Sequence, residues 1–278
     1  MTISNFFTST CQDKETHNWI LNAHNTANGD IDRLAKILAV EIVKFRCRRC
    51  PQHFNSWKNK AENDIPLSEA SKSALRAFLV PTFGDPDEGN DPNIDHLEGF
   101  VGEWLWYFIC TENPIDTIIH KVPPGFKSTD PGGDALLIHR LLNDELLFRL
   151  WEMKKFAPRK DESGQQIDAT VNRAYSQLNS KALEYLARIT ATEQELNDPE
   201  VEEFVGKLVE LWIDASPQAA AGVSIATSSE HTSQSCFDNF GLQFPRLTNP
   251  NRLLGMLTGI EDFSKFAVLV KEYVWKGL

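Results

Sequence analysis

"GGDALLIHRLLNDELLFRLWEMKKF" (Gly132–Phe156) decides the fold. Two apolar runs, "DALLIHRLL" and "ELLFRLWEMKKF", flank Asn143–Asp144, a short hairpin signal, and read as paired antiparallel strands. Side chains two apart in a strand share a face, about 7 Å apart along it. Phe148, Leu150, Glu152, Lys154 and Phe156 therefore lie on one side. Three of these five are large and apolar, so that side is expected to be packed. Burying an unpaired carboxylate or ammonium is costly. The chain tolerates Glu152 and Lys154 there more readily if they meet each other, a metal ion or a substrate.

Asp134 opens the first of the two strands, directly after Gly132 and Gly133. A hairpin closed at Asn143–Asp144 sets Asp134 opposite roughly Lys154, within a residue or two. Two carboxylates and one lysine then converge. Two hard oxygen ligands, with room for water and phosphate, suit Mg2+ or Mn2+. The lysine would orient or deprotonate a water, or balance charge on a phosphate. The two glycines would let backbone and ligand approach closely. An exposed edge strand carrying an ordinary cross-face ion pair would also account for Glu152 and Lys154, because edge strands use lysine to deter pairing.

Outward from the hairpin, "HLEGFVGEWLWYFIC" (His96–Cys110) reads as a strongly apolar helix and "DTIIHK" as a strand. Downstream, Val171, Ala174, Leu178, Leu183 and Leu186 give helical spacing over Ala169–Ile189. Pro199–Trp212 reads as a further helix, "AGVSIATSS" as a strand, and Leu253–Val274 as a helical region interrupted near Gly259. From Asp95 the order is thus helix, strand, strand, strand, helix, helix, strand, helix. It predicts an α/β fold, a mixed central sheet flanked by helices.

Upstream, Ile31, Leu34, Ile37, Leu38, Ile42 and Phe45 fall at helical spacing after Asp30, a candidate N-cap. A second helix is expected over Leu67–Leu79. The Gly-, Pro- and acid-rich "PTFGDPDEGNDPN" (Pro81–Asn93) reads as a linker. Residues 1–90 are therefore expected to form a helical N-terminal region, and residues 91–278 the α/β domain.

An Asp at a strand start followed by Glu-x-Lys on the next strand resembles the PD-(D/E)XK, restriction-endonuclease-like nuclease superfamily. The match reads Asp134, then Glu152-Met153-Lys154, and the element order is similar to that superfamily's core over roughly Asp95 to Ser229. The resemblance implies Mg2+-dependent hydrolysis of DNA or RNA phosphodiesters. Asp134 and Glu152 would hold the metal and Lys154 would assist the attacking water. Many members add a glutamate from the first core helix, a role that Glu103 matches, so the implied metal set is Asp134, Glu152 and Glu103. A branch of the superfamily carries a Gln on the helix after Glu-x-Lys, where Gln177 lies. Gly133 departs from the pattern, standing where a proline would precede the Asp. Within the superfamily, "GEWLWYFI", "GGDALLIHR" and "WEMKKF" are similar to the nuclease subunit of the Hachiman anti-phage system. That similarity implies DNA as substrate and a helicase as protein partner. A catalytically silent subunit on the same fold, sensing nucleic acid or binding a partner, is the alternative.

"KKFAPRK" (Lys154–Lys160) leaves the proposed catalytic strand, and Lys155, Arg159 and Lys160 are expected to contact a nucleic-acid backbone. The basic, aromatic stretch Lys44–Lys60 either holds phosphates and stacks bases or is a solvated helix end. Cys47-x-x-Cys50-x-x-His53 offers only three of the four ligands of a structural zinc site. "GVSIA" lacks the final glycine of a nucleophile elbow, so Ser224 reads as structural. With no Walker loop and no dinucleotide fingerprint, no nucleotide cofactor is expected. The formal net charge of −11 argues against a generic nucleic-acid coat protein and leaves room for a basic partner. Five scattered cysteines make no disulfide framework. Together with the lack of a secretory signal or of an apolar run of membrane-spanning length, they lead to an expectation of a reducing cytoplasm.

Overall fold

In a computed structural model of the chain, the two apolar runs form the hairpin that their pattern requires. The structure describes residues 2–112, 117–125, 135–158, 166–192, 196 and 198–278. A 3-10 turn at Ile3–Phe6 leads into β1 (Phe7–Asp13) and β2 (Asn18–His24). Three helices follow: α1 (Ile31–Arg46), α2 (Pro51–Asn63) and α3 (Glu69–Phe83). The central unit is α4 (Ile94–Glu112), β3 (Thr117–Val122), β4 (Ala135–Arg140) and β5 (Leu146–Phe156). Next come α5 (Ile167–Thr192), α6 (Pro199–Gly206), α7 (Leu208–Ile213) and β6 (Ala219–Ser228). A short α8 (Phe240–Gln243), β7 (Leu253–Ile260) and α9 (Phe263–Trp275) complete the order.

The helix starts follow from side chains that accept otherwise unsatisfied backbone N–H groups. Asp30 caps α1 through the N–H of Arg33 at 2.9 Å, Ser68 caps α3 through Ser71 at 3.2 Å, and Asp262 caps α9 through Lys265 at 2.9 Å.

The seven strands make one mixed sheet in the order β1-β2-β7-β6-β5-β4-β3. Strands β2, β7, β6 and β5 run parallel, and β4 is antiparallel to β5 with Ala135 opposite Trp151 and Arg140 opposite Leu146. Strand β5 is therefore interior, and the edge-strand alternative for Glu152 and Lys154 fails. Helices cover both faces. Helices α1, α3, α4 and α9 build one core with Trp151, Met153, Leu254 and Met256 of the sheet. Helices α5 to α8 build the other with Phe148, Leu150, Val223, Ile225 and Leu257. The α/β class with a helix-flanked mixed sheet is as the pattern predicts, and no helix among the described residues is long and apolar enough to cross a membrane.

Three expectations change. Residues 1–90 are not all helical, because β1 and β2 extend the sheet beside β7. Nor does packing break at residue 90: Ile3, Leu34 and Leu79 share a core with Leu105 and Val270. The α1 helix lies against α9, so the first and last thirds of the chain stabilise one another. Finally, Leu253–Ile260 is a strand rather than helix. Its residues are all buried, and a short continuous apolar run carries no period that separates a central parallel strand from a buried helix.

Candidate active site

The pleat of β5 divides its residues between the two cores. Phe148, Leu150 and Phe156 belong to the α5 side, whereas Trp151 and Met153 belong to the α4 side. Glu152 and Lys154 alternate with Trp151 and Met153, so they lie on the α5 side, near the carboxyl end of β5. In the parallel ladder they stand opposite Val223 and Ile225 of β6. The Glu152 side chain is wholly buried (0% exposed), and its Oε1 accepts from the ammonium of Lys154, whose side chain keeps 22% of its exposure. The charged pair thus sits on a central strand, at the end where parallel strands of an open α/β sheet place their ligands.

The other sequence candidates are distributed as follows. Asp134 precedes the first residue of β4 and lies outside the described residues, as do Arg159 and Lys160. Glu103 sits on α4, which packs on the other face of the sheet: the Trp106 ring lies 5.0 Å from that of Trp151, and a Cβ at Gly102 would stand 3.3 Å from the Cβ of Ala226. The sheet thus separates the α4 layer from the Glu152–Lys154 face. Gln177 of α5 donates through Nε2 to the hydroxyl of Tyr185, 3.0 Å away and two turns further along the same helix.

Lys155 points to the α4 side. Its ammonium meets Glu98 at 2.5 Å and Asp95 at 2.9 Å, and Glu98 also accepts from the Ser264 hydroxyl at 2.7 Å. The cation expected to face a nucleic-acid backbone is engaged by two carboxylates of α4 and bridges β5 to that helix. Sequence reading passed over Glu98, although a carboxylate in the apolar run "HLEGFVGEWLWYFIC" was a signal for a buried partner.

Among the described residues, no three His, Cys, Asp or Glu side chains gather as a metal-binding group. Cys47, Cys50 and His53 are not gathered as such a group. Cys47 closes α1 and Cys50 precedes α2. Burial, then the neighbouring Cys50, pushes the Cys47 thiol up to about 11, while Arg46 acts the other way. For Mg2+, Glu152 supplies a hard carboxylate in a dry setting with a lysine beside it, whereas Glu103, the other described member of the expected donor set, belongs to the α4 layer across the sheet.

In the basic stretch Lys44–Lys60, Arg46 turns inward, while Lys44, Arg48, Arg49 and Lys58 are exposed. Arg46 is buried, donates to the Phe78 carbonyl at 2.7 Å and to the Thr82 hydroxyl at 2.9 Å, and lies 4.8 Å from the Phe100 ring centre. Lys44 pairs with Glu41 and Lys60 with Asp64. Ser224 is buried in mid-strand, as a structural residue would be.

A scan against protein-family models and a search of curated proteins each return no match.

Proposed function

We propose that this chain is a metal-dependent nuclease that hydrolyses DNA phosphodiester bonds, acting in anti-phage defence with a helicase partner. The observation that carries the chemistry is the wholly buried Glu152 paired with Lys154 at the end of an interior strand. A structural surface pair has no need of that position. The sequence resemblance supplies the substrate and the setting.

Glu152, with Asp134, would hold Mg2+, which when bound supplies Lewis-acid stabilisation of charge on the phosphate. The ammonium of Lys154 orients the attacking water or neutralises charge developing on phosphate oxygens. Burial of Glu152 fixes its carboxylate without a search among rotamers, and low local dielectric strengthens every charge contact made there. Lys155, turned to the opposite face and held by Glu98 and Asp95, stiffens the strand end that presents Lys154.

The test uses the full chain with plasmid, linear and single-stranded DNA, in Mg2+, in Mn2+ and in EDTA. Cleavage by the wild type only with metal, and its loss in both Asp134→Asn and Lys154→Met, is the expected result. Equal cleavage by all three proteins would assign the activity to a contaminant. Metal-independent inactivity of the wild type, alone and with a helicase partner, would replace the nuclease with the silent-subunit alternative.

A further inference from the structure

On the face of the sheet opposite Glu152 lies a cavity of about 380 Å3, within the size range of small-molecule sites. Strands β1, β2, β7, β5 and β4 line it from the sheet, and the end of α4 with the N-terminal turn closes over it. Its walls are mostly apolar, as at Ile20, Leu137 and Met256, but the buried polar side chains of Ser4, Asn22, His139 and Arg149 and the indole of Trp151 break them.

Asn22 is 1% exposed. Its Oδ1 is taken by the hydroxyl of Ser9 at 2.7 Å, while its Nδ2 has no hydrogen-bond partner among the described residues. Trp151, also 1% exposed, lines the same cavity, and its Nε1 likewise has no partner among the described residues. Arg149, on the same face of β5, brings a buried guanidinium that donates to the Asn251 carbonyl at 2.7 Å. The acidic lining residue, Glu112, accepts the backbone N–H of Ser4 at 2.6 Å in the closing layer.

A buried donor without an acceptor carries its full desolvation cost. Two such donors beside a buried guanidinium, in a cavity rich in apolar wall, leave places for acceptor oxygens that the lining does not fill. We infer that it is a binding site for a small oxyanion, carboxylate or phosphate ester, carried on an apolar body. The anionic head meets Asn22 Nδ2, Trp151 Nε1 and the charge of Arg149, and the body packs against Ile20, Leu137 and Met256. The site is separate from the proposed phosphodiester chemistry, since the sheet divides the two.

Benzoate and phenyl phosphate are suitable probes, with benzyl alcohol as the neutral control, titrated into the full chain by calorimetry and by tryptophan fluorescence. At least one oxyanion should bind saturably and about tenfold or more tighter than benzyl alcohol, the ratio expected for a charge-assisted hydrogen bond. Preference for phenyl phosphate would identify a phosphate ester as the ligand class, and preference for benzoate a carboxylate. Asn22→Leu keeps the volume and deletes the donor. It should stay folded, with an unfolding temperature no lower than wild type, and lose about tenfold in oxyanion affinity. Absence of saturable oxyanion binding, equal binding of benzyl alcohol, or unchanged affinity in folded Asn22→Leu would each overturn the inference.

Discussion

Lys154→Met tests whether the Glu152–Lys154 pair is a buried pair or a surface one. Glu152 is fully enclosed and Lys154 is about one-fifth exposed. Deleting the ammonium leaves a carboxylate in a low-dielectric setting, a change that costs about 3–5 kcal/mol in buried pairs. The residual exposure of Lys154 places the expectation at the lower end, about 3 kcal/mol. Glu152→Gln alone should cost less, about 1 kcal/mol, because the remaining ammonium still reaches water. The double variant removes both charges and keeps the volumes, so it should lose only about 2 kcal/mol. The coupling between the sites is then about 2 kcal/mol. Urea unfolding of the full chain, followed by circular dichroism in EDTA at one pH, reads all four corners of the cycle. A coupling below about 0.5 kcal/mol, the range of solvent-exposed pairs, would refute the burial argument.

Other outcomes follow from the packing and the titratable groups. A Cβ at Gly222 would stand 2.3 Å from Cδ2 of Trp151, so Gly222→Ala should destabilise by about 3 kcal/mol, with partial recovery in Gly222→Ala/Trp151→Leu. A wild-type urea midpoint for the single variant would contradict the observed contact between β5 and β6. Burial holds His17 and His24 below the ordinary value of 6.5. Lys14 adds to the effect at His17 and Asp238 opposes it, while at His24 the nearby backbone of Gly29 and the charges of Glu261 and Asp30 oppose it. The unfolded chain therefore takes up these protons first as pH falls, so the stabilisation is complete above 6.5 and is lost as pH drops through the folded values. His17→Phe should flatten the fall in unfolding midpoint below about pH 6.5, and parallel curves for variant and wild type would count against it. Maleimide labelling should modify exposed Cys11 first and reach Cys47, Cys110 and Cys236 only on denaturation, since all three are buried and burial pushes the thiols of Cys47 and Cys236 to about 11 and about 12. Peptide mass spectrometry gives the order.

The hairpin was legible because β4 and β5 combine apolar runs with a turn at Asn143–Asp144, and the period of two put Glu152 and Lys154 on one face. Helix α4 was legible for the same kind of reason, being apolar for most of its length. Helix α2 was hidden because only Trp57 of its residues is buried, leaving no apolar stripe to read. Strand β1 was hidden by its exposure, which lets Thr, Ser and Gln occupy an edge without alternation. Gly259 suggested an interrupted helix where β7 runs. In that strand, Gly255 makes room for the Phe237 ring, which a Cβ would approach to 2.7 Å. The Lys155–Glu98–Ser264 contact could not be read, because three elements far apart in the chain must be placed before those side chains meet.

The parallel pairing of β2 with β7 sets Asn18 beside Leu254 and Ala23 beside Gly259. During synthesis the β1–β2 hairpin therefore emerges long before its permanent neighbour exists, and it must wait with one flank uncovered while nearly all the intervening chain leaves the ribosome. Closing so large a loop is entropically slow, and a waiting strand edge invites pairing with other chains. Premature termination anywhere ahead of β7 would leave that flank permanently bare, making incomplete products natural clients for chaperones and proteases.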